Sequence, residues 1–414
     1  MAQQPTSQAP SSSPIWERLE AFVREQVQWL IQALLEEEIP ALLGRPKSAR
    51  RSGIDAPKGW RNGYGKPRRL SLSLGTITVH RPRVRGLGDR FVSRALPLFK
   101  RRTREIGELL PQLYLHGLAL GDFELALRGL LGGGAPLSAT SLARLKASWQ
   151  LEYEAWKQRR LDDLEVVYVW ADGLSSKAGL EDSKAALLVL IGALTNGQKV
   201  VLAVESGQRE SKESWGAVLR DLRVRGLKPW RCTIADGHLG IWAALAEQQP
   251  TAAEQRCWNH RITNVLDAIP KKEQVQARTL LCAMPYAESQ AACEKLRAQF
   301  DKRDRQVAPK AVERLAHDWD RLITCYRFPR DHWRHLRTTN VVESPFAAAR
   351  LRTGAAKRFK KVESATAIIW KMLQVAEQTF RRLNAPELLP AVYAGAKYVD
   401  GIKQTVSNHQ EVAA

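Results

Sequence analysis

The stretch "RCTIADGHLGIW", residues 231–242, decides the fold: a short apolar strand runs into Asp236 and Gly237, and a predicted helix follows. A second stretch, "VVYVWADGLSS" at residues 166–176, repeats the pattern, because an apolar strand again leads into Asp172 and Gly173. An Asp-Gly pair after an apolar strand is a common turn signal, so either aspartate alone has an ordinary explanation. Two such endings in one chain favour a chemical role for both carboxylates.

The elements around these two stretches follow an α/β order. Apolar segments predict strands at residues 166–170, 184–195 and 199–206, with a tight turn at Asn196 and Gly197. A helix capped by Ser211, the strand ending at Asp236, a helix over residues 239–248 and a short strand at residues 256–258 complete the series. Three antiparallel strands followed by helix, strand, helix and strand form the core order of a ribonuclease-H-like fold. In that sheet the first and fourth strands are neighbours, so Asp172 and Asp236 are predicted side by side.

Two adjacent carboxylates repel each other unless a positive charge lies between them. Mg²⁺ takes hard oxygen ligands and is commonly held by one or two carboxylates together with substrate phosphate. Two such ions about 4 Å apart can activate an attacking oxygen and stabilise the leaving oxygen in phosphoryl transfer. The sequence therefore predicts a site for Mg²⁺ or Mn²⁺ at Asp172 and Asp236, and this site needs a third carboxylate.

The candidate for the third carboxylate is Glu343, in "LRTTNVVESPFAAARLRTGAAKRFKK". An alternative is a helix capping box, because Asn340 and Glu343 have the required spacing; Pro345 leaves open a helix that begins only at Ser344. The helix is basic, and Arg350 and Lys357, which follow at seven-residue intervals close to the face of Glu343, are also predicted to bind DNA. The lower-ranked candidates, which lie in polar turns, are Glu205, Glu181 and Asp182.

The net charge of +21 is concentrated in one segment. Residues 45–104 contain 18 Lys or Arg and only two Asp, a local imbalance typical of a phosphate-binding surface. Aromatic residues, including Trp60 and Tyr64, lie among these cations, as in proteins that grip nucleic acid. A small β unit with a merely basic exterior is the alternative. The predicted DNA-binding residues in this segment are Arg61, Lys66, Arg68, Arg69, Arg81, Arg83 and Arg85.

Three further sequence features bear on the redox compartment, on zinc binding and on a membrane role. The five cysteines lack a paired spacing, which favours a reducing compartment. Cys257 and His260 do not form a finger-like zinc pattern, because no second pair follows at suitable spacing. The longest apolar run, residues 185–194, is too short to span a bilayer, so no membrane role is predicted.

The predicted domain organisation places basic DNA-binding elements, mostly helical, before the catalytic core. The predicted segments are a disordered tail (1–13), an amphipathic helix (14–44) that ends at Pro40, a basic segment containing β-structure (45–104), a helical region with a possible helix-turn-helix (105–160), the first part of the core (161–262), a helical insertion (263–336), the last part of the core with the Glu343 helix (337–400) and a C-terminal tail (401–414).

The chain resembles the mutator-type transposases of bacterial insertion sequences, which use a DDE catalytic site. The resemblance spans nearly the whole chain and rests on five stretches: "RNGYGKPRRLSLSLGTITVHRPRVRG" (61–86), "ADG" (171–173), "SGQRESKESWGAVLRDLRVRGLKPWRCTIADGHLGIWAAL" (206–245), "CWNH" (257–260) and "RTTNVVES" (337–344). It implies that Asp172, Asp236 and Glu343 are the catalytic and metal-binding residues. It also implies that a helical insertion separates Asp236 from Glu343, and that His260, with Cys257, lies near the carboxylates.

The resemblance implies a cytoplasmic, nucleoid-associated enzyme that binds double-stranded DNA, both the terminal inverted repeats of its element and the target. Such an enzyme uses Mg²⁺ or Mn²⁺ to cleave and join strands, and we expect a homo-oligomer, at least a dimer on DNA. Two alternatives stay open: an inactive DNA-binding protein derived from a transposase, and a ribonuclease-H-like nuclease without strand transfer.

Overall fold

The structure, a computed structural model, describes residues 14–89, 91–96, 101–131, 139–177, 184–207, 210–237, 239–356, 359 and 361–404. Within these ranges the chain divides into two compact units, one of residues up to 114 with 118–142, the other of residues 115–117 and 143 onward. No helix in the described ranges is long and apolar enough to cross a membrane. The predicted N-terminal tail, the Gly-rich turn of the possible helix-turn-helix, most of the C-terminal tail, and Glu181, Asp182 and Lys357 lie outside the described residues.

The first unit combines helices with two small antiparallel strand pairs. Strand β1 pairs with β4, and β2 pairs with β3. Its elements are α1 (Pro14–Leu43), β1 (Trp60–Tyr64), β2 (Arg68–Leu72), β3 (Gly75–Val79), β4 (Pro82–Arg85), α2 (Arg104–Leu115) and α3 (Phe123–Leu131).

The core of the first unit lies between α1 and the β2–β3 hairpin. The alternating sequence of the hairpin buries Leu70 and Ile77 on one face, where Leu35 of α1 is also buried. The prediction that α1 ends at Pro40 is wrong, because the helix continues to Leu43. Burial of Ile39 and Leu43 on the helix explains this continuation, since it offsets the hydrogen bond that proline cannot donate.

The second unit is built on a five-stranded sheet with helices. Its strands are β5 (Val166–Lys177), β6 (Lys184–Leu194), β7 (Lys199–Gly207), β8 (Cys232–Ala235) and β9 (Ala253–Arg256), together with a small pair, β10 (Tyr398–Val399) and β11 (Ile402–Lys403). Its helices are α4 (Ala139–Lys157, with its first residues in the other unit), α5 (Lys212–Val224), α6 (Leu239–Gln248), α7 (Trp258–Leu266), α8 (Gln274–Ala283), α9 (Gln290–Asp304), α10 (Pro309–Ala316), α11 (Trp319–Leu322), α12 (Trp333–Leu336), α13 (Asn340–Ala356), α14 (Val362–Glu377) and α15 (Leu389–Tyr393).

The strand order across the large sheet is β7-β6-β5-β8-β9. Strands β5, β6 and β7 are successive antiparallel neighbours, whereas β8 runs parallel to β5 and β9 runs parallel to β8. The predicted mixed α/β class and the predicted order of strands and helices are confirmed. Ser211 caps α5 as predicted, because its side chain accepts a hydrogen bond from the Ser214 N–H.

Successive side chains of β5 point alternately to the two faces of the large sheet, and a different layer packs on each face. Val169 and Ala171 belong to the apolar core that includes Trp215 of α5 and Ile241 of α6. On the other face, the Trp170 indole N–H donates to the His335 carbonyl of α12 at 2.9 Å. Because successive side chains of a strand point to opposite faces, Asp172 shares the face of Trp170, where α12 and α13 pack.

Candidate active site

Asp172 lies in the interior of β5 rather than at its end. It pairs with Val189 of β6, and the strand continues to Lys177, so the prediction of a strand that ends at Asp172 is wrong. The Asp-Gly sequence forms no turn here because the long β5–β6 pairing supplies backbone partners on both sides of Gly173. Asp172 is only 8% exposed, and its Oδ1 accepts a hydrogen bond of 2.8 Å from the Gly173 N–H.

Asp236 lies directly after β8, as predicted, at the carboxyl end of the strand. Ala171 is in register with Ala235 in the parallel β5–β8 pair. Asp172 follows Ala171 and Asp236 follows Ala235, so the two aspartates lie at the same level of the sheet. The turn after Asp236 requires glycine, because Gly237 has φ +96° and a Cβ there would lie 2.3 Å from Cζ of Arg256. The predicted side-by-side placement of the aspartates therefore follows from the strand register.

Glu343 lies in the first turn of α13, which packs against β5. The helix begins at Asn340 and contains Pro345, so a helix that begins only at Ser344 is ruled out. The capping-box interpretation is also wrong: the Glu343 N–H donates to the Thr339 carbonyl at 3.0 Å, and the Asn340 amide oxygen accepts from Asn259 at 3.2 Å. The Glu343 carboxylate instead accepts a short hydrogen bond from the Thr339 hydroxyl.

The charges of the three carboxylates act on one another. Burial, followed by the negative charges of Asp236 and Glu343, raises the pKa of Asp172 from 3.8 to about 7, against the opposing hydrogen bond from Gly173. The fold therefore holds Asp172 where its ionised form is disfavoured without a compensating cation. The negative charges of Asp236 and Glu343 therefore both act on Asp172.

His260 supplies a positive charge at the same place. A hydrogen bond to the Cys257 sulfur, with the charges of Glu343 and Asp236, raises the pKa of His260 to about 9 despite its burial. The imidazole is therefore protonated at neutral pH, and its Nδ1 lies 3.8 Å from Glu343 Oε1. The expectation that His260 lies near the carboxylates agrees with this geometry.

Cys257 is fully buried, and its sulfur is enclosed by Thr339. The sulfur lies 3.4 Å from the Thr339 N–H nitrogen and 3.2 Å from the Thr339 hydroxyl oxygen. One donor atom each of Cys257, His260 and Glu343 lie within 4.8 Å of one another, a spacing that could hold a metal ion. The contacts of the sulfur with Thr339 favour a structural role for Cys257, because they occupy the space in which a thiolate would meet an ion.

Thr339 and Glu210 are two neighbours of the site that sequence reasoning missed. Thr339 is fully buried and joins the Glu343 helix to Cys257; its position next to the predicted helix start was the available signal. The Glu210 carboxyl group lies against Gly173, where a Cβ would be only 2.1 Å from Glu210 Oε1. Glycine at position 173 therefore leaves room for a fourth acidic side chain beside Asp172, and no sequence pattern marked it.

The other candidate residues lie in different environments. Glu205 forms an ion pair of 2.8 Å with Lys157, so its carboxylate already has a partner. Arg350 is exposed on α13, whereas Arg352 of the same helix is buried. We refer to Asp172, Asp236 and Glu343 as the carboxylate cluster, because the charges of the last two act on Asp172, whereas Glu205 is paired with Lys157.

Some of the predicted DNA-binding residues of the first unit already contact other protein groups. Arg61 pairs with Glu36 and donates to the Tyr64 hydroxyl at 2.7 Å. Burial and the nearby charges of Arg101 and Arg81 lower the pKa of Arg68, which shows that these guanidinium groups crowd together. The remaining predicted residues, Lys66, Arg69, Arg83 and Arg85, are exposed on or beside the strands.

Comparison with known proteins defines the family. The model of the Mutator family of transposases matches residues 4–382. The transposase of insertion sequence element IS6120 from Mycolicibacterium smegmatis is 41% identical over 300 residues, which cover 72% of this chain and 92% of the relative. The transposase of IST2 from Acidithiobacillus ferrooxidans is 40% identical over 293 residues, covering 70% of this chain and 99% of the relative. The chain belongs to the Mutator family of transposases.

On the function proposed below, in which Glu343 is a metal ligand, we expect Thr339→Val to lower DNA cleavage roughly 10- to 100-fold, the usual effect of removing a group that orients a metal ligand. Valine keeps the shape of the buried threonine but cannot donate to Glu343. Thr339→Ser should restore most of the activity, because it returns the hydroxyl group. Steady-state DNA cleavage by the three proteins checks this; equal activity of the valine and serine variants would contradict an orienting role for the hydroxyl.

Proposed function

We propose that this chain is a DDE transposase with a ribonuclease-H-like core. In this proposal it binds the terminal inverted repeats of its element, cleaves the DNA at the ends and joins the released 3′-OH ends to target DNA. The placement of Asp172 and Asp236 on neighbouring strands, with the charges of Asp236 and Glu343 both acting on the pKa of Asp172, carries the proposal. The strand order β7-β6-β5-β8-β9, with three antiparallel strands followed by two parallel ones, supports the proposed core.

The residues at the site fit Mg²⁺ or Mn²⁺. Carboxylate oxygens are the ligands that these hard cations prefer, and Asp172, Asp236 and Glu343 supply three carboxylates within electrostatic reach of one another. A bound cation would relieve the unfavourable charge of buried Asp172. Divalent ions supply activation of the attacking oxygen and stabilisation of the charge that develops on the leaving oxygen.

The protein groups have separate roles in the proposed reaction. Asp172, held in the β5 backbone, and Asp236, held by the turn after β8, provide rigid anionic ligands at one level of the sheet. Thr339 orients Glu343 through its hydroxyl group. Protonated His260 lies beside Glu343, where it limits the negative charge and can donate to a phosphate oxygen.

A joining assay tests the proposed function. The full chain, Mg²⁺, a supercoiled plasmid and duplexes carrying the terminal repeat with an exposed 3′-OH should yield products in which the duplex is covalently joined to the plasmid. Cutting without joining would favour the nuclease alternative. Binding without either reaction would favour the inactive DNA-binding protein. Ca²⁺, with its longer and looser coordination, should permit end binding with little strand chemistry.

We expect the basic first unit to give DNA binding a steep dependence on salt. Each phosphate contact contributes about −0.9 to the slope of log K against log salt, so Arg69→Gln with Arg83→Gln should make the slope shallower by roughly 1.8. Both side chains are exposed, which limits the effect on folding. Lys271→Gln with Arg278→Gln, also exposed, is the charge-matched control. Fluorescence anisotropy titrations at several salt concentrations check this; equal slopes for both double variants would place the binding surface elsewhere.

A further inference from the structure

A cavity of about 560 Å³ lies beside the carboxylate cluster. Its volume is within the range of sites that enclose a small ligand. The walls come from α7, the end of α8, the turn at Met284–Tyr286, α12 with the residues that follow it, and the start of α13. The lining residues are Trp258, Asn259, Ile262, Cys282, Pro285, Tyr286, Arg334, Arg337, Thr338 and Asn340.

The cavity shares its walls with the active site. Trp258 and Asn259 lie between Cys257 and His260 in the sequence, so the same turn of chain faces both places. Thr338 and Asn340 flank Thr339, the residue that donates to Glu343. Consecutive Cα atoms are 3.8 Å apart, so these cavity residues lie directly next to Cys257, His260 and Thr339, of which His260 and Thr339 contact Glu343.

The walls combine an aromatic ring with positive charge. Tyr286 is 74% exposed, and the Arg337 guanidinium carbon lies 5.2 Å from the centre of its ring. Arg334 is exposed at the same cavity, and none of the ten lining residues is acidic. In the described part of the chain neither arginine forms an ion pair with a carboxylate, and the Arg337 side chain also interacts with the buried Cys325 thiol. These groups suit an anion that carries a flat ring.

Two amide side chains add hydrogen-bonding groups. The Asn259 amide nitrogen donates to the Asn340 amide oxygen at 3.2 Å, and both residues line the cavity. Each amide retains further donor and acceptor capacity, which matches the mixed donor and acceptor edge of a nucleobase. A base inside a duplex cannot enter such a cavity, because its faces are stacked and its edge is paired.

We propose that this cavity holds one unpaired nucleotide of the DNA next to the reacting strand, with its base stacked on Tyr286 and its phosphate facing Arg334 and Arg337. The proposal rests on the proposed function, because it assumes that DNA reaches the carboxylates. Stacking accepts any base, so the site gives affinity for an unpaired strand with little sequence preference. The cavity thereby favours DNA ends at which the strands are separated.

The test compares two DNAs that differ only in an unpaired nucleotide. Wild-type protein in Ca²⁺ is titrated with a blunt duplex that carries the terminal repeat, and with the same duplex extended by a three-nucleotide single strand. We expect tighter binding of the extended DNA. Tyr286→Ala should reduce the affinity for the extended DNA roughly 5- to 150-fold, the range of base–aromatic stacking, and leave the blunt duplex unchanged. Tyr286→Phe, which keeps the ring, should stay within about twofold of wild type.

A second variant tests the positive charge independently. Arg334→Gln should make the salt slope for the extended DNA shallower by roughly 0.7, the contribution of one phosphate in a single strand, whereas exposed Arg278→Gln should not. Equal losses on both DNAs, or unchanged affinity in Tyr286→Ala, would overturn the nucleotide site while the proposed function stands. Failure of the wild-type protein to bind either DNA would overturn both.

Discussion

Asp236→Asn protein is expected to bind element ends almost as well as wild type but to lose cleavage and joining by about 10³-fold or more. On the proposed function, the substitution keeps the size of the side chain and removes a charge that would hold the cation, and metal ions supply several kcal/mol of transition-state stabilisation. The same result is expected for Asp172→Asn, since the two side chains follow residues that are in register on neighbouring strands. Quantitative cleavage and joining assays, read beside end binding, check both variants.

Glu343→Gln is the decisive member of this series. Glutamine keeps the size of glutamate, and its amide oxygen can accept the hydrogen bond from the Thr339 hydroxyl, so a purely structural role for Glu343 would leave the variant active. A metal-binding role predicts a loss comparable to that of the aspartate variants. Asp267→Asn is the matched control, because Asp267 is an exposed carboxylate at the end of α7. A fully active Glu343→Gln protein would remove Glu343 from the catalytic set.

Asp172→Asn is expected to stabilise the metal-free protein at pH 8 by roughly 2–4 kcal/mol. A pKa raised from 3.8 to about 7 means that the folded state disfavours the ionised carboxylate. Below pH 4 the Asp172 carboxyl group is protonated and does not lower the free energy of unfolding. The loss of unfolding free energy grows as the pH rises from about 4 to 7. Asparagine carries no charge and avoids this loss. The free energies of unfolding of wild type and Asp172→Asn should therefore differ little at pH 4 and increasingly toward pH 8.

Thermal unfolding in EDTA across this pH range measures the difference. On the proposed function, saturating Mg²⁺ should narrow this difference in unfolding free energy or reverse its sign, because a cation that binds the folded wild-type site would stabilise it by mass action. Equal pH dependence of the two proteins in EDTA would contradict the assignment of a buried, repelled carboxylate at Asp172.

The order of elements in the second unit could be predicted because each element carries its own local pattern. The apolar runs of β5 to β8, the Ser211 cap and the turn after β8 are all visible in short windows. Once the strand order was expected, the neighbouring positions of Asp172 and Asp236 followed from the geometry of a parallel strand pair. Local patterns therefore located two of the three carboxylates.

Contacts between distant parts of the chain could not be predicted from such patterns. Cys257 and Thr339 are 82 residues apart, and their contact depends on how the intervening helices fold back. The sequence predicts too short a strand at Asp172, because Asp-Gly normally signals a turn. The continuation to Lys177 depends on pairing with β6, which the sequence of β5 alone does not reveal. The cavity at Tyr286 likewise combines three separate segments, none of which carries a binding motif.

The most direct test of the carboxylate site is a titration with Mn²⁺ in the presence of element-end DNA. Electron paramagnetic resonance of the unbound ion measures how much Mn²⁺ the protein binds. Wild-type protein and the Asp267→Asn control should bind Mn²⁺ with the same number of sites, and Asp236→Asn should lose at least one of them. Equal binding of Mn²⁺ by wild type and Asp236→Asn, in number and affinity, would contradict the account, because the ion would then lie elsewhere.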